Sequence, residues 1–430
     1  MNYGQDTPSG PVAAQPMTPA PSQPYLHVKI GQLERNRKLP SLRFDVTTNL
    51  PNFKRKKYTA IERNYGEFEK LRQHLVQTYP ECLIPVLPAG TAATATSSSG
   101  GGPGGVIHVN GGNHAGPTAT FNTSAFEEEA LVKEAIHTFL ARIANHPVLR
   151  SDYELREFIE APFLLTKTYP RKSRTGFQHA IEHIDQLDGL ELGSDTWYDA
   201  LGAYMAKVET RLDPVRKSAG QVARKRKALS EGLQDFATKN VAISVTEPHA
   251  ELSLILRKTG NRLHRVSEVQ QLQAEHESMR LDYFMDIQIR STEAFLDALV
   301  SRQQIYYEYD TSTKRTERKK QNIMVLKSAS SIQTDRADQA LEDFEQAKTD
   351  QTTRLQVVER INTTLPSDLQ NAQRQRVHDF QTWLKGFAKR QLEFEKQQLT
   401  EWTQLAEQLS KPQVQKELLL ANGHSAVGPH

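Results

Sequence analysis

The sequence lacks the features that mark secreted, membrane-spanning or cysteine-rich proteins. It has one cysteine, Cys82, among 430 residues, which excludes an internal disulfide and a zinc site built on several cysteines. Its apolar runs are only a few residues long, too short for a membrane-spanning helix. The first 24 residues have neither a basic start nor an apolar core, so we expect no signal peptide.

The sequence also lacks an excess of one charge and the motifs of an enzyme. Its 54 Lys and Arg residues are balanced by 51 Asp and Glu residues, so attraction to an anionic surface must come from local clusters. No HExxH, GxSxG or Walker pattern is present, and no interleaving of basic and aromatic residues favours nucleic acid. We expect no catalytic residue, cofactor or metal site, and we interpret Cys82 as a packing residue.

Proline and glycine are scarce in the second half of the chain. Residues 197–411 hold only three of the 21 prolines and five of the 23 glycines. A segment with so few helix breakers, rich in Gln, Glu, Lys, Arg and Leu, is typical of very long helices. We therefore predict an α+β domain followed by an all-α domain of three long coiled-coil helices.

The α+β domain is predicted over residues 24–163, after a disordered tail at 1–23. Leu26, Val28 and Ile30 alternate with polar residues, and this period of two predicts a half-buried strand. Similar patterns predict further strands and helices near residues 42–46, 56–63, 65–79 and 126–144. The expected fold is a three-stranded antiparallel sheet covered by helices.

Within this domain we predict a flexible insertion over residues 89–124. It contains the stretch GGGPGG at 100–105, which invites comparison with a phosphate-binding loop. The stretch has no GK[ST] ending and no strand before it, so the composition favours a linker.

A linker over residues 164–193 connects the two domains. Four of its apolar residues recur at helical spacing and predict an amphipathic helix: Phe177, Ile181, Ile184 and Leu187. Such a helix either lies on a membrane surface or packs on a neighbouring domain, and both interpretations stay open.

The all-α domain is predicted over residues 194–411, before a disordered tail at 412–430. Its three helices are predicted to run from Ser194 to about Asn240, from about His249 to Lys327, and from Asp335 to Leu409, with a kink at Pro366. Helices of this size are roughly 75–110 Å long. One chain cannot bury all their apolar stripes, among them a seam predicted at Trp197, Leu201, Tyr204 and Val215, so we expect pairing with a second chain.

Two stretches of the first domain resemble a known family. The run Arg63-Asn64-Tyr65-Gly66-Glu67-Phe68 followed by Pro85-Val86-Leu87-Pro88, and the later His146-Pro147-Val148-Leu149, are similar to the PX (phox-homology) domain. A PX domain before some 200 helical residues resembles the PX-BAR sorting nexins, and within them the fungal vacuolar-sorting members that pair in retromer.

The resemblance implies a non-catalytic peripheral protein on the cytosolic face of endosomes. It would bind membrane, dimerise with a second PX-BAR sorting nexin, contact the retromer core subunits, and form tubules for retrograde transport to the Golgi. Two alternatives stay open: an adaptor whose helices bind proteins without bending membrane, and a coiled-coil tether, which the PX resemblance disfavours.

The resemblance also implies a phosphatidylinositol 3-phosphate site, from which this sequence departs. The family's arginine before Tyr65 is replaced by Asn64, and its helix arginine falls near Val132. Because each lost charge-assisted bond removes about 1.5–3 kcal/mol, we expect Arg63, Asn64 and Tyr65 to form only a weak lipid site. The alternative is that Tyr65 packs in the core and Arg63 is a solvated strand end.

Three basic clusters are candidates for contact with anionic headgroups. The first lies between predicted strands, and the other two lie on predicted helices. Their members are Lys54, Arg55, Lys56 and Lys57; Arg216, Lys217, Arg224, Lys225, Arg226 and Lys227; and Lys314, Arg315, Arg318, Lys319 and Lys320. For each cluster the alternative is an exposed, solvated surface without a ligand.

Overall fold

A computed structural model describes residues 23–35, 40–88, 123–161, 190–328 and 334–410. Most of the predicted tails and of the glycine-rich insertion, including GGGPGG, lies outside the described residues. The predicted amphipathic helix with Phe177, Ile181, Ile184 and Leu187 also lies outside them. Within the described residues, no helix is long and apolar enough to span a bilayer.

The first domain contains the predicted antiparallel sheet. Strands β1 (Leu26–Arg35), β2 (Pro40–Thr48) and β3 (Lys57–Asn64) lie in the order β1-β2-β3. Val28 is opposite Val46 on the β1–β2 pair, and both are buried. The alternation that predicted the strands therefore gives the sheet its apolar face.

Three helices cover that face: α1 (Tyr65–Thr78), α2 (Thr123–Asn145) and α3 (Tyr153–Glu160), the last preceded by a 3-10 turn at Leu149–Ser151. The rings of Phe44 and Phe68 lie 6.1 Å apart, and those of Phe68 and Phe158 lie 5.2 Å apart. A single contiguous core therefore joins strand β2 to helices α1 and α3.

The second domain consists of three very long helices, α4 (Asp195–Thr246), α5 (Ala250–Ser328) and α6 (Thr334–Gln408). Ser194 caps α4 by accepting a hydrogen bond from the Trp197 amide at 3.2 Å, as predicted. The 79 residues of α5 make it about 120 Å long. Pro366 lies inside α6, and the kink predicted there stays a prediction.

Helix α5 packs against both α4 and α6. Trp197, Leu201 and Met205 of α4 form a buried core with three residues each from the other two helices, Phe295, Leu296 and Leu299 of α5 and Ile361, Leu365 and Leu369 of α6. Gly260 permits the close approach of α5 to α4, because a Cβ there would lie 2.8 Å from the Ala237 carbonyl oxygen.

Near the start of α4, the guanidinium of Arg302 on α5 donates to Asp195 Oδ1 at 2.6 Å. Beyond this contact, helices α5 and α6 continue as a pair. We call residues 303–328 and 334–360 the distal arm. Arg354 of α6 donates to Glu308 of α5 at 2.7 Å within it. The distal arm is about 40 Å long at 1.5 Å per residue.

The predicted seam on α4 is buried only in part. Trp197 and Leu201 are buried, but Tyr204 is 43% exposed and Val215 is 49% exposed. The prediction of a continuous buried seam is therefore wrong for the single chain, because α5 and α6 cover only the first turns of this stripe.

Candidate functional site

Asn64, at the position where the PX resemblance expects an arginine, caps helix α1. Its side chain accepts a hydrogen bond from the Glu67 amide at 3.1 Å, and the Glu67 carboxylate accepts one from the Asn64 amide at 2.8 Å. This reciprocal pair satisfies two amides that a helix start leaves without partners. Asn64 therefore has a structural role and brings no positive charge.

Arg63 points into the PX domain. Its Nε and Nη2 atoms donate to the Phe158 carbonyl at 3.0 and 2.7 Å, and Nη2 also donates to the Ala161 carbonyl. The guanidinium lies 5.2 Å from the centre of the Phe158 ring, and burial lowers the pKa of Arg63. The alternative of a solvated strand end is wrong, since Arg63 joins β3 to the end of α3.

Tyr65 packs partly against the PX core, and its hydroxyl donates to the Pro88 carbonyl. The pKa of Tyr65 is raised, first by burial and then by the charge of Glu69, although Arg290 on α5 acts in the opposite direction. Val132 is buried in the same core. These two positions are thus occupied by internal packing, as the alternative for Tyr65 expected.

Helix α5 contacts the PX domain close to Val132. The Tyr283 hydroxyl donates to the Leu131 carbonyl at 3.0 Å, and burial raises the pKa of Tyr283. No sequence pattern predicted this contact, because the two residues are far apart in the chain and neither belongs to a motif.

A second contact between the domains centres on Asp368 of α6. The His146 Nε2 atom lies 3.0 and 2.9 Å from the two Asp368 oxygens, and the Leu83 amide donates to Oδ2 at 3.1 Å. We call these three residues the interdomain joint. It is strengthened by an ion pair between Arg142 and Asp379 and borders a cavity of about 300 Å³.

Cys82 lies beside the interdomain joint, where its thiol, the His146 imidazole and the Asp368 carboxylate are within 4.8 Å of one another. Such a group invites a metal, but His146 Nδ1 accepts hydrogen bonds from the Val148 and Leu149 amides, both at 3.2 Å. Both ring nitrogens are therefore engaged within the protein. Burial raises the pKa of Cys82, and nearby Asp368 and Glu81 add to the effect, so its thiol is a poor nucleophile.

The first basic cluster lies on the turn between β2 and β3. Lys54, Arg55, Lys56 and Lys57 are all exposed. The Lys54 amide donates to Glu160 Oε1 at 2.7 Å, which ties the turn to the end of α3. The Lys54 ammonium also lies 3.5 Å from Glu160 Oε2, so Arg55, Lys56 and Lys57 are the cations that this turn presents to solvent.

The second basic cluster, on α4, is less available than the sequence suggested. Arg226 donates to Glu277 Oε2 at 2.9 Å and to Gln270 Oε1 at 3.0 Å, so it joins α4 to α5. Arg216 pairs with Asp282 at 2.7 Å. Carboxylates of α5 thus oppose this cluster in addition to Asp213 of α4, which pairs with Lys217 at 2.7 Å.

Three members of that cluster stay on the surface: Arg224, Lys225 and Lys227 are exposed and make no ion pair within the described ranges. These three cations are what the α4 cluster can offer to an anionic surface.

The third basic cluster lies near the end of the distal arm. Lys314 pairs with Asp310 at 2.6 Å, and Lys319 pairs with Asp343 of α6. Lys320 has only a 3.8 Å contact with Glu317. Arg315 and Arg318 are exposed and unpaired in the part of the chain that the structure describes.

Two rows of exposed apolar side chains lie on the part of the helical domain away from the distal arm. On α4 they recur every seven residues, and on α6 they cover its C-terminal half. The α4 row consists of Val215, Val222, Leu229, Phe236 and Ile243, and the α6 row consists of Val377, Phe380, Leu384, Leu392, Leu399 and Trp402. We call them the α4 and α6 stripes. A spacing of seven is the pattern of a coiled-coil seam.

A groove of about 510 Å³ lies at one end of these stripes. Its lining includes Tyr204 of α4, Phe284 of α5 and Phe380 of α6. The Phe284 ring also stacks on Trp383 with centres 4.1 Å apart. An aromatic, open groove next to two apolar stripes forms one surface suited to a second helical chain.

Comparison with curated proteins finds sorting proteins. The chain is 24% identical to vacuolar protein sorting-associated protein 17 of Schizosaccharomyces pombe over 60% of this chain and 42% of that protein. It is 19% identical to the Saccharomyces cerevisiae protein of the same name over 86% and 61%, and 20% identical to sorting nexin-1 of Mus musculus over 83% and 65%. The chain thus spans about half the length of these relatives.

Among solved structures, the cryo-EM structure of the SNX-BAR Mvp1 tetramer aligns with a TM-score of 0.48 and 15% identity, over 88% of this chain and 99% of that chain. The PX domain family matches residues 51–162. The family described as Vps5 C terminal like matches residues 179–408, more than half of the sequence. The chain therefore belongs to the Vps5 C-terminal-like family and, with its PX domain, is a PX-BAR sorting nexin that resembles Vps17.

Proposed function

We propose that this protein is a non-catalytic, peripheral sorting nexin that dimerises, binds endosomal membrane, and forms tubules for endosome-to-Golgi retrograde transport with retromer. The observation that carries the proposal is the pair of α4 and α6 stripes. Eleven large apolar side chains on these stripes are 43–65% exposed in the single chain. Such a surface is stable in water only when a partner covers it.

The partner that fits this surface best is a second PX-BAR chain. The α4 and α6 stripes are long, and the α4 stripe recurs every seven residues, which suits other long helices and not a globular domain. Because the PX domain of this chain lacks the family's phosphate-binding arginines, a partner with an intact site would raise the membrane affinity of the pair. We therefore propose a heterodimer, with retromer core subunits and anionic endosomal membrane as further partners.

The proposal is tested by mixing the purified dimer with anionic liposomes. We expect the protein to float with the vesicles and to draw them into tubules visible by electron microscopy. Flotation without tubules, or binding of protein partners without flotation, would favour the adaptor alternative, in which the helices hold proteins and do not bend membrane.

We further propose that the PX domain binds phosphatidylinositol 3-phosphate only weakly. The side chains of Arg63, Asn64 and Tyr65 each make hydrogen bonds within the domain, and Val132 is buried. A phosphate would therefore meet no free guanidinium among these four residues. Strong selective binding would require Arg63 to leave two carbonyl groups inside the domain.

Asn64→Arg restores the charge that the family places before Tyr65. In flotation with the full chain, we expect the natural sequence to show less than about a threefold preference for phosphatidylinositol 3-phosphate over phosphatidylinositol, and Asn64→Arg to show more. Asn64→Ala is the control, since it also removes the cap on α1 but adds no charge. Micromolar, selective binding by the natural sequence would refute the proposal of weak affinity.

A further inference from the structure

The end of the distal arm carries an exposed apolar pair. In its last turns α5 reads Ile323-Met324-Val325-Leu326 before Lys327. Met324 is 58% exposed and Val325 is 66% exposed, whereas the two flanking apolar residues are half-buried. Adjacent exposed apolar side chains at the far end of an elongated domain indicate a surface that contacts an apolar medium.

Val325 does not belong to the packing between α5 and α6, and Met324, about 80° around the helix from Thr316, lies at the edge of that packing. Thr316, whose hydroxyl donates to the Ala347 carbonyl at 3.2 Å, marks the side of α5 that faces α6. At 3.6 residues per turn, Val325 lies about 180° around the helix from Thr316, on the outer face. Helix α6 therefore cannot cover it without rotation of α5.

Cations share these faces with the apolar pair. Arg318 precedes Val325 by seven residues and lies on the same outer face. Met324 has Lys320 four residues before it and Lys327 three residues after it, both within about 60° of it on the side toward α6. Arg318 is unpaired among the described residues, and Lys320 has only its 3.8 Å contact with Glu317.

Exposed apolar side chains beside cations favour an anionic bilayer over a second protein surface as the ligand of this end. Near this end of the distal arm Asp335, Asp338 and Glu342 belong to α6, and the acidic residue of α5, Glu317, is 3.8 Å from Lys320. Arg318 and Lys327 therefore leave α5 with an excess of positive charge here. Lysine and arginine can place their charges at lipid headgroups while neighbouring apolar side chains enter the acyl boundary. A protein partner would need acidic groups to match the cations, and a second copy of this face would repel the first.

We propose that the distal arm inserts Met324 and Val325 into an anionic membrane, with Arg318, Lys320 and Lys327 at the headgroups. This inference rests on the proposed membrane-binding function and adds an apolar contact to it. A contact made by cations alone is released when salt shortens the Debye length, whereas an inserted pair keeps part of its affinity. The distal arm therefore acts as an anchor as well as a charged surface.

A single-cysteine probe tests the insertion in the full chain. In a Cys82→Ser background, Val325→Cys is labelled with an environment-sensitive nitrobenzoxadiazole dye. Tyr307→Cys is the matched control, because Tyr307 is also 66% exposed on α5 and, 18 residues away, lies on the same outer face. On vesicles of phosphatidylserine and phosphatidylcholine, we expect blue-shifted emission and quenching by doxyl-labelled lipid at position 325 and neither at 307.

Affinity gives a second measurement. The double variant Met324→Glu, Val325→Glu should lower vesicle affinity about tenfold at about 150 mM salt, and Tyr307→Glu should change it less than about twofold. Vesicle-bound protein with an unchanged signal at position 325 would overturn the insertion and leave membrane binding intact. Absence of vesicle binding by every protein would overturn both proposals. A blue shift without vesicles that grows with protein concentration would show that a second copy covers the pair, and would also overturn the insertion.

Discussion

The PX domain and the helical domain differ in how far their large apolar side chains are exposed to solvent. In the PX domain, Phe44, Phe68 and Phe158 are each at most 1% exposed and lie in one contiguous core. Among the described helical residues, a comparable core forms where Trp197 meets α5 and α6, and the α4 and α6 stripes stay exposed.

The two domains also differ in the use of charge. In the PX domain Arg63 is buried and hydrogen-bonded, and the Tyr79 hydroxyl donates to Asp152 Oδ2 at 2.9 Å. The helical domain places most of its cations on the surface, and those of the distal arm surround exposed apolar residues. The difference teaches that the first domain buries its apolar side chains within one chain, whereas the second leaves an apolar surface that the proposed partner would cover.

The largest expected effect comes from placing charge on the α4 stripe. We expect Leu229→Asp combined with Phe236→Asp to raise the dissociation constant of the dimer by about 10²–10⁴, because two apolar side chains at ~1.5–3 kcal/mol each leave the interface. Analytical ultracentrifugation of the full chain with its partner measures the change.

The control for this prediction places the same charges on another face of α4. Ala228 and Ala242 are exposed and lie off the stripe, so Ala228→Asp with Ala242→Asp should leave the dimer intact. Equal weakening by both double variants would show that added charge, and not the α4 stripe, controls assembly.

A large cavity in the PX core is expected to destabilise that domain and leave the dimer unchanged. Phe158→Ala removes a fully buried ring that packs on Phe44 and Phe68, and should lower the free energy of PX unfolding by about 3–4 kcal/mol. Thermal melting measures the stability of the PX domain, and analytical ultracentrifugation measures the dimer. Loss of the dimer in this variant would mean that the PX domain takes part in the assembly that we assign to the helices.

A smaller effect, dependent on pH, is expected at Asp152. Burial alone would raise its pKa, but hydrogen bonds from His74, the Leu155 amide and Tyr79 outweigh burial and lower the pKa. Because the folded pKa is below the ordinary value of about 3.9, the stabilisation is present above that value and is lost as the pH falls through the folded pKa.

Asp152→Asn should therefore lower the free energy of PX unfolding by about 2 kcal/mol at pH 7. Urea unfolding between pH 7 and pH 3 should show this difference shrinking below about pH 4. Glu69→Gln, at an exposed position of the same domain, is the control and should be nearly neutral. A difference that stays constant to pH 3 would exclude the ionised carboxylate as its cause.

The smallest effect is expected at the interdomain joint. Asp368→Ala removes the acceptor of His146 and of the Leu83 amide, so we expect about tenfold faster hydrogen exchange at Leu83, equivalent to about 1.4 kcal/mol. The neighbouring exposed Ser367→Ala serves as control. Unchanged exchange in Asp368→Ala would show that other contacts hold the two domains together.

Local patterns in the sequence predicted the elements but not their contacts. Alternation around Leu26 and Leu42 located the strands, and the scarcity of proline after residue 197 located the long helices, because both signals come from neighbouring residues. Arg226 was predicted to contact anionic headgroups, because its partner Glu277 lies 51 residues away on another helix and gave no local signal. Asp368 carried no signal at all, because its partner His146 is 222 residues away.

The candidate lipid site shows the same limit. The sequence revealed that Asn64 replaces an arginine, because the resemblance fixed that position. It did not reveal that Arg63 turns inward, since the direction of a side chain depends on the carbonyl of Phe158, which is 95 residues away. The apolar pair at Met324 and Val325 was missed because a short apolar run inside a long helix looks like ordinary packing.

Light scattering on the full chain, alone and mixed with a PX-BAR partner over a range of concentrations, tests the central claim most directly. We predict a particle of at least twice the 48.6 kDa mass of one chain, which the paired substitutions at Leu229 and Phe236 dissociate. A monomer at every concentration, with and without the partner, would contradict the account.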